Sequence, residues 1–258
     1  VLVMLWLTRL LDLPPDPLCA GSLLQQQFWP LAIALTWLVL IAGAALTGIF
    51  ASTEHYEGGL FCASIGIALL SVRFGSMRYA LFAATGPRIY LSLAIELVVI
   101  YVAVLIAWMM LFSVSRSGWL PAERANEKPE PLDQKLLATA MHAVVMIVVM
   151  LLLCRSDAKA QTLASVGIAA YLASLAAYQF IPAEPSGWIL LSPMIVGLVG
   201  YISQYFTQWD WMIGDARGYF AALSRPLPLD YASLGVAGTL LGYWTSQRWR
   251  HNAAESSE

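Results

Sequence analysis

Few residues of this chain could act on a substrate from within its apolar segments. Glu96 interrupts the run RIYLSLAIELVVIYVAVLIAWMMLFS, residues 88–113, and His142 interrupts a second apolar run. A charged group at hydrocarbon depth costs at least about 2.5 kcal/mol, so it must be paired, neutralised or in contact with water. Glu96 and His142 are therefore expected to face other helices rather than lipid.

Positions along the chain indicate which residues could contact Glu96 and His142. Arg73 and Arg78 follow the preceding apolar run and lie on the same side of the membrane as Glu96. Two interpretations stay open: an ion pair of Glu96 with one of these arginines, or a carboxylate that binds a proton or substrate. His142 is expected about 12 Å from Glu96 along the membrane normal. We interpret it as a packed imidazole bonded to Ser, Thr or a carbonyl, with a substrate site as the alternative.

A third group of charges lies in the segment QWDWMIGDARGYFAALSRPLPLD, residues 208–230. Asp210, Asp215 and Arg217 could hold a metal-bound diphosphate, as in phospholipid head-group transferases. That pattern requires Asp-Gly where this chain has Met212-Ile213, and the Gly-x-Gly-Asp of membrane aspartyl proteases is replaced by MIGD. We therefore interpret the cluster as part of an interfacial helix, with an intramembrane enzyme as the less favoured alternative.

Other catalytic and metal sites are not indicated. The three cysteines are widely spaced, and among the predicted spans only the fourth contains a histidine. These patterns favour neither a zinc site nor bis-histidine haem ligation, and the spans contain no lysine for a retinal Schiff base. We predict no cofactor, no metal and no enzymatic activity.

The amino-acid composition indicates the environment that surrounds these polar residues. Hydrophobic residues make up 59% of the chain and charged residues only 12%. Soluble domains carry about twice that share of charge, so most of the surface is expected to face lipid. A net charge of −2 excludes a nucleic-acid surface as the main partner.

Counting apolar runs of about 20 residues predicts an all-α, polytopic transmembrane bundle. The seven predicted spans are residues 28–50, 58–72, 89–113, 136–154, 161–181, 188–206 and 231–245.

The spans divide the chain into six regions. They are an N-terminal interfacial segment (1–27), helices one to three (28–113), a polar loop (114–135), helix four (136–154), helices five to seven (160–247, with an interfacial segment at 207–229) and a polar tail (248–258).

The spans contain a weak internal similarity. FASTEHYEGGL, residues 50–60, aligns without a gap on FIPAEPSGWIL, residues 180–190. Helices one to three and five to seven would then be parallel repeats joined by helix four, a 3+1+3 plan known among small transporters. We favour coincidence between sequences of few residue types, with a true duplication as the alternative.

Small residues mark two helix faces. Ala169, Ala173 and Ala177 recur every four residues on helix five, and Gly238 with Gly242 form a G-x-x-x-G on helix seven. In lipid, such residues allow two backbones to approach closely. We expect them to pack within the chain, with a homo-oligomer or a partner helix as the alternative. Helix six is expected to kink near Pro193.

Topology and function complete the prediction. Loops 51–57 and 182–187 are acidic and lack Lys and Arg, so they are expected on the non-cytoplasmic side of a bacterial inner membrane, with the N-terminus in the cytoplasm. We predict a non-catalytic membrane subunit or scaffold, with a small-solute permease centred on Glu96 as the alternative. A permease requires a water-filled cavity that reaches Glu96, whereas a scaffold requires a closed bundle with an apolar groove.

Overall fold

The computed structural model describes residues 22–25, 29–50, 57–83, 88–116, 131–181, 187–207 and 221–255. Within these ranges the regular secondary structure is entirely helical. The helices are α1 (Trp29–Phe50), α2 (Gly58–Ser71), α3 (Met77–Ala83), α4 (Arg88–Arg116), α5 (Leu132–Leu153), α6 (Lys159–Phe180), α7 (Gly187–Leu190), α8 (Ser192–Thr207), α9 (Ala221–Ser224), α10 (Pro228–Asp230), a π-helical turn (Tyr231–Gly235) and α11 (Val236–Glu255).

Five of these helical segments are long and apolar enough to cross a membrane. They are α1, α4, α5, α6 and the α7–α8 pair, each apolar over 20 to 27 residues. About 20 residues are needed to cross the hydrocarbon core. The outer faces of these segments carry large apolar side chains, as lipid contact requires. Examples are Leu38, Met109, Val144, Ile168 and Ile202.

The prediction of seven spans is therefore confirmed only for five. Helix α2 has 14 residues, or a length of about 21 Å, and most of its side chains are buried. It packs tightly on α1, because a Cβ built on Gly59 would lie only 2.8 Å from the amide nitrogen of Gly48. The Thr47 hydroxyl donates to the carbonyl of Gly59 across the same contact, at 3.0 Å. Helix α2 is thus an interior element that is shorter than the hydrocarbon core.

The predicted seventh span is helical but lies inside the bundle. Helix α11 packs most extensively on α6, and the start of the segment is a π-helical turn. Its second half carries Arg248 and Arg250, so its apolar run is too short to meet the requirement for a span. The predicted polar tail is helical up to Glu255. Side chains buried along this segment include Tyr231, Ala232, Val236, Ala237, Leu240 and Tyr243.

The interfacial segment predicted at 207–229 is placed differently where the structure describes it. Residues 208–220 lie outside the described ranges, but Leu223, Leu227 and Leu229 are buried in the core. Interfacial positions would leave these side chains half exposed. The remaining boundaries move by a few residues. Helix α5 begins at Leu132, where Asp133 favours a helix N-terminus, so the predicted polar loop is shorter at this end.

The sixth span is broken rather than continuous. Helix α7 ends at Leu190 and α8 begins at Ser192, immediately before Pro193. Proline lacks a backbone N–H and clashes with the preceding turn, which explains a break at this point.

The structure does not confirm the possible duplication, which was the alternative to coincidence. In the first triplet, α1 packs closely on its successor α2. In the second, α6 has little contact with α7 and α8 and packs on α11 instead. The two triplets therefore differ in which helices are neighbours. Of the predicted N-terminal segment 1–27, the structure describes only residues 22–25.

Candidate functional site

Glu96 lies on the inward face of α4 with 1% of its surface exposed. Its carboxylate accepts a hydrogen bond from the backbone amide of Leu24, at 3.1 Å. The amide of Leu23 also points to this carboxylate, and the Ser22 hydroxyl faces it without a regular hydrogen bond. Glu96 is thus held by a turn that precedes α1, residues 22–25, which we call the N-terminal turn.

The N-terminal turn is fixed at a second point. The Gln25 side-chain amide donates to the carbonyl of Ala80 in α3, at 3.1 Å. Ser22 and Leu23 are buried, so this non-helical backbone lies inside the bundle. Backbone polar groups at such a position must find partners in the protein, because lipid offers none. The Glu96 carboxylate accepts hydrogen bonds from the turn, so the buried acceptor and the buried amide donors are paired with each other.

The expected pairing of Glu96 with an arginine is not found among the described residues. Arg73 and Arg78 are both exposed, whereas Glu96 is enclosed. Salt bridges within the described ranges join Lys159 to Asp230 and Arg225 to Asp157. Arg73 and Arg78 are thus not assembled around Glu96, and His142, which was expected at a different depth, is bonded to other helices.

His142 is completely buried and joins three helices. Its Nδ1 contacts the Ser192 hydroxyl of α8, and its Nε2 lies 3.3 Å from the Thr239 hydroxyl of α11. These hydroxyls also bond to the carbonyls of Ile189, at 2.9 Å, and Gly235, at 2.8 Å. A serine that is enclosed in this way cannot reach a substrate, so the Ser–His contact serves packing. The contacts are those expected of a packed imidazole.

Asp230 is a buried charge that the sequence patterns did not single out. Its Oδ1 accepts from the Lys159 ammonium, at 2.6 Å, and from the Ser71 hydroxyl. Its Oδ2 accepts from the backbone amide of Leu227, at 2.9 Å. A signal was present, because the predicted topology places the end of helix two and the starts of helices five and seven on the same side. Asp230 therefore connects α2, α6 and the segment before α11.

Residues 221–231 form a re-entrant segment whose backbone is held by tyrosines. The Tyr201 hydroxyl donates to the carbonyl of Pro226 and the Tyr231 hydroxyl to that of Leu223, both at 2.5 Å. The Tyr101 hydroxyl donates to the carbonyl of Tyr231, at 3.0 Å. Prolines and a π-helical turn leave carbonyls without helical partners, and these phenols replace them. The segment is consequently closed rather than open to a ligand.

Arg225 anchors the same segment at the end of α5. It donates to the carbonyl of Cys154 and forms a salt bridge with Asp157, with 3.2 Å between Nε and Oδ1. Burial raises the pKa of the Cys154 thiol to about 11, although the Arg225 charge acts in the opposite direction. Cys154 is therefore a neutral thiol at physiological pH.

The small-residue faces lie inside the bundle. A Cβ on Gly238 would overlap the carbonyl oxygen of Gly167, and a Cβ on Gly242 would overlap that of Tyr171. The backbones of α11 and α6 thus touch directly. Ala169, Ala173 and Ala177 are fully buried in α6 as well.

An apolar groove runs along the outside of this contact. We call it the α2–α6–α11 groove, and its volume is about 380 Å³. The small residues Gly167 and Ala164 line part of it. The full lining is Phe61, Ile65, Leu163, Ala164, Gly167, Ile168, Tyr171, Leu234, Ala237, Gly238 and Leu241.

Two further observations limit the chemistry. Within the described ranges, no group of three or more His, Cys, Asp or Glu side chains is arranged to hold a metal ion. The predicted interfacial cluster of Asp210, Asp215 and Arg217 lies outside those ranges.

Comparisons with known proteins give no family for this chain. No protein-family model matches it, and neither a curated protein nor a solved structure matches it.

Proposed function

We propose that this chain is a non-catalytic subunit or scaffold of a bacterial inner membrane, which binds a transmembrane helix of another membrane protein in the α2–α6–α11 groove. The groove itself carries the proposal. It is lined by apolar residues, and Ala164 and Gly167 allow a second backbone to come close. Helix association in lipid depends on such close packing rather than on the hydrophobic effect.

The enclosed polar groups support a scaffold over a permease. Glu96 is covered by the N-terminal turn, His142 by Ser192 and Thr239, and Asp230 by Lys159 and Ser71. Each group has its partners within the protein and needs no ligand to satisfy it. A permease in the same conformation would expose at least one of them to water.

Site-specific photo-crosslinking in native membranes tests this function. A photoreactive residue at Ala164, in the groove, should form an adduct with a defined membrane protein. The same residue at Val144, which is exposed on α5 and does not line the groove, is the control. Gly167→Leu should abolish the adduct at Ala164 by filling the groove, since a Cβ there meets Leu234 only at an ordinary 3.5 Å.

Three results would overturn the proposal. Adducts with lipid alone would show that the groove is ordinary lipid-facing surface. Adducts with a second copy of this chain would replace the partner protein by a homo-oligomer. An equal set of adducts at Ala164 and Val144 would show that the groove has no specificity.

The re-entrant segment favours a permease as the second candidate. Broken helices at membrane depth often surround transport sites, and π-helical turns concentrate at functional positions. Purified protein in vesicles would then show solute flux that Asp230→Asn abolishes. For either function we place the N-terminus and the turn after α2 in the cytoplasm, because Arg73, Arg78 and Arg88 cluster there. The chain then returns to this side through the short interior helix α2, which runs antiparallel to α1.

A further inference from the structure

The N-terminal turn and Glu96 form a contact that depends on the ionisation state of one group. An ionised carboxylate is an acceptor at both oxygens, so it can bind the amides of Leu23 and Leu24 together. A protonated carboxyl must donate from one oxygen, and that oxygen then accepts poorly from the amide that it faces. The Ser22 hydroxyl, which also faces the carboxyl, can accept the donated hydrogen bond. Protonation thus weakens at least one hydrogen bond between Glu96 and the turn and leaves that amide without a charged acceptor.

Because Glu96 lies deep in the bundle, its hydrogen bonds determine whether the turn is stable there. Glu96 lies eight residues into α4, about 12 Å along the helix from Arg88. A non-helical turn at this depth is stable only while its amides are satisfied by protein. The other contact that fixes the turn is the hydrogen bond from Gln25 to Ala80.

No other described charge takes over the role of Glu96. The turn's own residues are uncharged, and α1 and α7 contain no titratable group. The phenol of Tyr201 lies near the carboxylate and near the phenol of Tyr90, and phenols are neutral below about pH 9. The remaining titratable groups on elements that pack against α4 or the turn are Cys62, Arg78, Tyr79, Tyr205, Asp230 and Tyr231, of which Asp230 is bound to Lys159 and Arg78 is exposed.

We propose that Glu96 is a proton-binding site that controls the seating of the N-terminal turn: the ionised carboxylate holds the turn against α3 and α4, and a proton on Glu96 releases it. The ligand of the site is a proton, and the response is the exposure of residues 22–25. This inference does not depend on what occupies the α2–α6–α11 groove.

Cysteine accessibility measures the seating directly. In a background without native cysteines (Cys19→Ser, Cys62→Ser, Cys154→Ser), Leu23→Cys places a thiol at a position that is 0% exposed. Val72→Cys, at a position that is 56% exposed, is the reference, because the ratio of the two labelling rates cancels the pH dependence of thiol chemistry. The probe is a small, water-soluble methanethiosulfonate in detergent-solubilised full chain.

The ratio should rise at least about tenfold between about pH 9 and about pH 5, a range in which buried carboxyl groups titrate. Glu96→Gln, which resembles the protonated acid, should show the high ratio at both ends of the range. Gln25→Leu is the matched control: it removes the contact with Ala80, so it should raise the ratio at both ends and leave the pH dependence intact.

A ratio that does not change with pH in the otherwise native chain would overturn the proposal. A Glu96→Gln chain that is folded by size exclusion and circular dichroism, yet protected like the native chain, would overturn it as well. Should Glu96→Gln fail to fold, the native titration and Glu96→Asp decide, because the shorter carboxylate keeps the titrating group and must keep the pH dependence.

Discussion

The pair formed by Lys159 and Asp230 should be the strongest single electrostatic contact between elements of this bundle. The two side chains are 15% and 1% exposed, with 2.6 Å between Nζ and Oδ1. Breaking a buried pair by removing one partner costs about 3–5 kcal/mol, because the other charge is left without compensation. The two single replacements should differ, since the exposures of the two groups differ.

Lys159→Met leaves the Asp230 carboxylate enclosed with only the Ser71 hydroxyl and the Leu227 amide, and we expect a loss of about 3 kcal/mol in the free energy of unfolding. Asp230→Asn should cost less than this range, about 2 kcal/mol, because the partly exposed ammonium can turn toward water. The double variant should recover at least about 1.5 kcal/mol of the summed loss, since neither charge remains.

The measurement is reversible unfolding in mixed micelles followed by circular dichroism. Arg225 and Asp157 provide the matched control, because their side chains are 22% and 32% exposed and such pairs contribute about 0–1 kcal/mol. A coupling energy between Lys159 and Asp230 below about 0.5 kcal/mol would refute the reasoning, because it would equal that of an exposed pair.

Three more predictions concern packing, thiol chemistry and topology. Gly242→Ala should lower the thermal stability in detergent by an amount equal to about 1–3 kcal/mol, since its Cβ would lie 2.8 Å from Ser174 Cβ and overlap backbone, whereas Gly43→Ala, with 3.5 Å to the nearest atom, should be neutral or stabilising. Cys154 should resist iodoacetamide at about pH 8.5, where an ordinary thiol is half ionised, and should react once the chain is unfolded; rapid reaction in the folded state, detected by mass spectrometry, would contradict the raised pKa. Single cysteines at positions 54 and 184 should both react with an impermeant maleimide from the periplasmic side, and opposite accessibility would refute the predicted topology.

The long spans could be predicted because hydrocarbon imposes a length and a composition on each helix by itself. Helices α1, α4, α5 and α6 satisfy that condition without reference to their neighbours. Helix α2 and the segment before α11 do not, because their polarity and shortness are permitted by the helices that cover them. No local sequence pattern shows that other helices will cover these segments. For this reason only five of the seven predicted spans were confirmed.

For the candidate site, the sequence likewise predicted that one residue must be enclosed but not which groups contact it. The apolar run around Glu96 predicted that its carboxylate needs a partner, and it is indeed enclosed. The choice of Arg73 as that partner followed from charge, whereas the amides of the N-terminal turn belong to the backbone and have no signature in residue type. Asp230 was passed over for a related reason, since a carboxylate at the end of an apolar run resembles an ordinary interfacial charge until Lys159 and Ser71 are placed beside it.

The tyrosine-held re-entrant segment also constrains how the chain is assembled during synthesis. Its backbone partners come from α4 and α8, and Asp230 at its end binds α2 and α6, all of which leave the ribosome before it. Residues 221–231 cannot enter hydrocarbon alone, because their free carbonyls would be unsatisfied there. They must wait at the membrane surface until the earlier helices have gathered, so residues 221–231 close a bundle that the preceding helices have already shaped.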